Sequence, residues 1–186
     1  IASNTPFIPG DVGTLTLMAQ NAAYDFNTTQ TYPALTSLTV TGKANATPAS
    51  QANAITVGAA NVSLTSVAMT ADNVLSAFTS NNAPMTTLVT AGKVRDFTVS
   101  GTALTALTFG HIHVSPGDAS SIDITGTKVV SLDMSSSDIK TDFMYISDNV
   151  SLTTVTMPGI GALPEPTASI SITIHDNSLT GILTES

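Results

Sequence analysis

Apolar and polar residues alternate in short bursts along most of this chain. FTVSGTALTALTF (97–109) holds two of them, separated by a Ser-Gly-Thr turn. An apolar-polar-apolar triplet puts its outer side chains on one side of a strand and its middle one on the other. The second burst, LTALTF, recurs as LTSLTV (35–40), LTSVAM (64–69), MTTLVT (85–90), VVSLDM (129–134), LTTVTM (152–157) and LTGIL (179–183). The first recurs ahead of it as ITV (55–57), SAF (76–78), FTV (97–99), IDI (122–124), MYI (144–146) and ITI (172–174).

The closing residues of the two series keep similar steps. Val57, Phe78, Val99, Ile124, Ile146 and Ile174 are 21, 21, 25, 22 and 28 residues apart. Met69, Thr90, Phe109, Met134 and Met157 are 21, 19, 25 and 23 apart. A coil of about 22 residues with two short strands cannot bury its own top and bottom, whereas stacked coils bury each other. The pattern therefore predicts an all-β, parallel-strand solenoid of about six coils with few or no helices. Residues 1–34 read as an opening loop and a capping coil, and 35–186 as the repeat, within one domain.

Turn residues extend the pattern. The third residue after the five first-series bursts from SAF onward is Asn81, Thr102, Thr127, Asn149 or Asn177, often preceded by Gly or Asp. Asparagine at such a place is suited to hydrogen-bond the backbone of adjacent coils as a ladder, and threonine does so only in part.

VRDFTVSGTAL (94–104) and ASSIDITGTKV (119–129) resemble the leucine-rich-repeat phrase L-x-x-L-x-L-x-x-N-x-L, with Thr at the Asn position. SDNVSLTTVTM (147–157) and HDNSLTGIL (175–183) are similar to the bacterial surface version of that repeat, with its NxxLTxL phrases. The resemblance spans residues 35–183. Val, Ile or Met often replaces Leu, and several coils lack the Asn. A parallel β-helix of another lineage is the competing architecture. The resemblance implies that the outward face of the first-series strands is the ligand surface. That row reads Thr56, Ala77, Thr98, Asp123, Tyr145, Thr173, and its implied binding residues are Asp96, Thr98, Asp123, Tyr145, Thr173 and His175.

Charge narrows the partners. The net charge is −8, and Lys43, Lys93, Arg95, Lys128 and Lys140 are the only basic residues apart from histidine. Nucleic acid, whose phosphates need several Lys or Arg contacts, is excluded as a partner, and anionic membranes are disfavoured. No apolar run reaches the length of a membrane span, so membrane insertion is not expected. Low charge, abundant Thr and Ser, and acidity together point to an extracellular or cell-surface setting. The start, IASNTPF, reads as part of a longer precursor.

Reactive chemistry is sparse. Cysteine is absent, only Glu165 and Glu185 represent glutamate, and no nucleophile-elbow, zinc-protease or phosphate-loop motif occurs. The expectation is a non-enzymatic module recognising a protein or glycan surface, without a cofactor. Asp96 and Asp123 are the pair an extracellular polysaccharide hydrolase or lyase would need. His111 and His113 with Asp118 are the weak metal candidate, and Asp72, Asp118, Asp138, Asp148 and Asp176 the candidates for structural calcium. Asn27, Asn45, Asn61 and Asn149 fit the N-x-[ST] acceptor pattern. Two alternatives remain. One is a matrix or filament subunit that self-associates. The other is an ice-binding protein using a column of Thr36, Thr65, Thr86, Thr105, Thr153 and Thr180, each second in its phrase.

Overall fold

The computed structural model describes residues 3–4, 11–18, 23–26, 33–41, 54–70, 74–101, 103–112, 121–135, 138–139, 143–157, 171–175 and 177–180. Among them there are strands and turns and no helix. The strands are β1 Ser3–Asn4, β2 Thr14–Met18, β3 Ala23–Phe26, β4 Ser37–Thr41, β5 Ala54–Gly58, β6 Ser66–Met69, β7 Val74–Asn81, β8 Thr87–Ser100, β9 Ala106–Ile112, β10 Ser121–Thr125, β11 Ser131–Asp133, β12 Asp138–Ile139, β13 Phe143–Ser147, β14 Thr154–Thr156 and β15 Ser171–His175.

Each strand pairs in parallel with the strand one coil away, and the fold is an all-β solenoid. The first ladder runs β1-β3-β5-β7-β8-β10-β13-β15. The second runs β2-β4-β6-β8-β9, and β11-β14 forms a separate pair. Strand β8 serves both ladders, with Thr87–Thr90 in the second and Asp96–Ser100 in the first. The expected number of coils differs from the observed one. The first ladder contains eight strands, and residues 1–34 supply β1 and β3 to it and β2 to the second.

A third, narrower ladder was not visible in the sequence. Val74 and Leu75 pair with Lys93 and Val94, these with His111 and Ile112, and these with Asp138 and Ile139. Paired stretches of only two residues carry no detectable alternation, so this ladder leaves no periodic trace.

Period-two burial produces the core. In the second ladder Leu38, Val67, Leu88 and Leu107 lie in register and buried. In the first, Ile55, Phe78, Phe97, Ile122 and Met144 do the same. All join one apolar cluster from Phe26 to Val155. Phe97 stacks on Phe78 with centroids 5.7 Å apart and meets Phe109 edge-on at 5.2 Å. Such pairs add about 0.5–1.5 kcal/mol beyond burial.

One alignment from the sequence is corrected. Phe78 pairs with Ile55 and Phe97, and Ser80 takes the place opposite Val57 and Val99. The burst is FTS (78–80), and the true steps are 23 and 19 residues. A buried serine at the inward position, 2% exposed, hid the pattern. Asn81 therefore belongs to the strand, and the turn position goes to Ala83, which is buried.

Candidate binding face

The turn that follows each first-ladder strand fixes where the outward face ends. Asn82, Gly101, Gly126 and Asp148 have φ of 50°, 141°, 65° and 55°, the left-handed region. Glycine enters it freely, and Asn and Asp tolerate it best among the others. Three of the four amides are used between coils: Asn82 N–H donates to the Ser100 carbonyl at 2.8 Å, Gly101 to Thr125 at 3.2 Å and Gly126 to Ser147 at 3.2 Å.

Beyond the corner lies the polar ladder. The Asn149 Oδ1 accepts from the Thr127 amide at 2.9 Å and the Thr127 hydroxyl at 2.7 Å. Its Nδ2 donates to the Ile124 carbonyl at 2.9 Å. The Asn149 amide donates to Asn177 Oδ1 at 3.0 Å, and Asn177 Nδ2 to the Ile146 carbonyl at 3.0 Å. Asn61 repeats only the donating half of the motif, to the carbonyls of Phe26 and Gly58, and its buried Oδ1 accepts no hydrogen bond from the described residues. Asn61 and Asn149 are fully buried, so these two N-x-[ST] matches are structural side chains, inaccessible in the folded chain. Asn27 and Asn45 lie outside the described residues.

The threonine column is present and tied to the backbone. The Thr36 hydroxyl donates to the Gly13 carbonyl at 2.9 Å, Thr65 to Thr36 at 3.1 Å, Thr86 to Thr65 at 3.3 Å and Thr105 to Thr86 at 3.2 Å. Val130 then interrupts the column. Thr153 donates to its carbonyl at 3.2 Å, and the Thr180 amide donates to Thr153. Each of these hydroxyl protons is spent on the preceding coil.

On the first ladder, Thr56, Thr79, Thr98, Asp123, Tyr145 and Thr173 form one outward row in register. Thr79 replaces the expected Ala77, which lies one row over between Ala54 and Asp96. Four of the sequence-derived binding residues, Thr98, Asp123, Tyr145 and Thr173, are thus consecutive neighbours. Asp96 sits in the adjacent row and pairs with Arg95 at 2.7 Å. His175 sits in the row on the other side and reaches Tyr145 diagonally. Its Nε2 lies 2.8 Å from the Tyr145 hydroxyl, and the rings meet edge-on at 5.2 Å. The Thr125 hydroxyl donates to Asp123 Oδ1 at 2.6 Å.

Phe143 is the residue that sequence reasoning missed. It is 55% exposed and shares the outward side of β13 with Tyr145, 38% exposed. The signal was in the sequence: Phe143 and Tyr145 have one parity in FMYIS, and the buried Met144 and Ile146 the other.

The remaining candidates do not assemble. Among the described residues no three His, Asp or Glu side chains come together as a metal site. His113, Asp72, Asp118 and Asp176 lie outside those residues, and His111 is placed by its backbone beside Asp138. Asp148 occupies the left-handed corner, where the Ser147 hydroxyl donates to its Oδ2 at 3.1 Å. Asp96 and Asp123 lie on adjacent strands, each with its own partner. Among the described residues no helix is long and apolar enough to cross a membrane.

No protein-family model matches this chain, and neither a curated protein nor a solved structure matches it significantly.

Proposed function

We propose that this chain is a non-enzymatic recognition or adhesion module, extracellular or at a cell surface, that binds protein or glycan through the outward face of its first ladder. One observation carries the reading. Thr98, Asp123, Tyr145 and Thr173 stand side by side, with Phe143 exposed next to them and Tyr145 braced by His175. A rigid, partly exposed aromatic flanked by short polar groups contributes contact area at small entropic cost. The kinship proposed is to bacterial surface leucine-rich repeats, supported by the Asn149–Asn177 ladder and the NxxLTxL phrases.

Glycan and extracellular-protein arrays test the proposal. The expected result is a hit that Tyr145→Ala and Phe143→Ser weaken at unchanged thermal stability. Silence on both arrays, or a hit indifferent to both variants, would remove it.

The ice-binding reading keeps a specific observation, the aligned column from Thr36 to Thr105. Its hydroxyl protons are committed to carbonyls, which favours a role in the fold. Thermal hysteresis in dilute solution is the deciding measurement.

A further inference from the structure

We infer that the surface recognised by this face is basic: a Lys- or Arg-bearing segment of a partner protein seated over Phe143 and Tyr145. The inference rests on the recognition reading of the same face and adds the chemistry of the partner.

Charge complementarity points that way. The outward positions of β10, β13 and β15 carry Asp123, Phe143, Tyr145 and His175 among Ser and Thr, and no Lys or Arg. Asp123 stands in register with Tyr145, with one carboxylate oxygen held by Thr125. Elsewhere among the described residues, the cationic side chains lie off the outward positions of these three strands. Arg95 is paired with Asp96, Lys93 belongs to the third ladder, and Lys128 lies in the turn after β10. The part of the face built by β10, β13 and β15 thus presents two aromatic rings and the Asp123 carboxylate with no lysine or arginine of its own. Guanidinium and ammonium groups are drawn to the faces of such rings and to carboxylates together. A net charge of −8 adds long-range attraction for a basic partner. It adds nothing for a neutral sugar and repels an acidic one.

The probe is a six-residue peptide alternating arginine and glycine, compared with its citrulline counterpart, which keeps the shape and loses the charge. The arginine peptide is expected to bind more tightly and to weaken as salt rises. Asp123→Asn, Phe143→Ser and Tyr145→Leu are each expected to weaken it about three- to fivefold, and Tyr145→Phe, which keeps the ring, by less than about twofold. Asp133→Asn, at an exposed position of β11, makes the same change in net charge and is expected to have an effect below about twofold. Equal losses in Asp123→Asn and Asp133→Asn, or no preference for arginine over citrulline, would overturn the inference. Capture of a neutral glycan that Tyr145→Leu abolishes would overturn it too, while leaving the recognition reading intact. Silence towards peptides, glycans and proteins alike would sink both. All the substituted side chains point outward, and a thermal melt of each variant verifies that the fold is kept.

Discussion

A single dihedral angle decides what several residues of this chain must be. Gly101 sits at φ 141°, and a Cβ there would lie 3.0 Å from the Asn82 Cα on the neighbouring coil. Gly126 sits at φ 65° with nothing within 4 Å of the same atom. Gly126→Ala meets only the left-handed penalty and should cost about 1–2 kcal/mol. Gly101→Ala also has to move backbone and should cost more, about 2–4 kcal/mol. Urea unfolding of the two variants measures the difference, and equal costs would show that the close approach between coils is unimportant. Asp133 makes a second residue-scale case. The Ser135 side chain, then its backbone amide at 3.0 Å, hold the Asp133 carboxyl below its ordinary 3.8. A depressed carboxyl favours the folded state above its ordinary value, and that contribution fades as pH falls through the lower folded value. An NMR titration should find Asp133 below the ordinary range and Ser135→Ala shifting it upward.

Within an element, burial rather than the number of hydrogen bonds decides what a ladder residue is worth. Asn149 is fully buried, and its loss strands the Thr127 amide and the Ile124 carbonyl. Buried groups without partners cost about 1–3 kcal/mol each, so Asn149→Ala should cost about 2–5 kcal/mol. Thr86 is exposed, and the Thr65 carbonyl it serves also accepts two amides, from Thr86 at 2.9 Å and Thr87 at 3.1 Å. Thr86→Val should cost less than about 1 kcal/mol. Chemical denaturation separates these values easily, and similar losses would contradict the distinction. The same distinction explains how much the sequence disclosed. Period-two bursts and the Asn149–Asn177 spacing are properties of residue type and distance, so the parallel solenoid and its polar ladder were legible. Thr98, Asp123, Tyr145 and Thr173 were legible as neighbours because each is the middle residue of an apolar-flanked burst, whatever the length of the segment between bursts. Ser80 broke the alignment, since a polar residue at an inward place is read as outward by any alternation rule. The Tyr145–His175 bond was not legible as a contact. It is a diagonal between neighbouring rows, and only the register fixes it.

For the whole molecule, the apolar interior is a column in which each coil is supported chiefly by the coils on either side. Stability in such an array is close to a sum of coil terms and nearest-neighbour interfaces, so damage should stay local. Ile146 is fully buried in β13 and lies in register between Ile124 and Ile174. Ile146→Ala should cost about 2–5 kcal/mol, as for any large-to-small change in a packed core. In a globular domain that unfolds as one unit, the loss would reach every slowly exchanging amide. Here it should be concentrated in β10, β13 and β15 and fade along the first ladder, leaving β4 and β6 with nearly their original protection. Native-state hydrogen exchange on the two proteins reads this gradient directly. A uniform loss from β4 to β15 would mean that the coils do not behave as separable neighbours. A loss confined to the C-terminal strands would also show that Phe143, Tyr145 and His175 stand on the part of the stack whose order can be weakened without unfolding the rest.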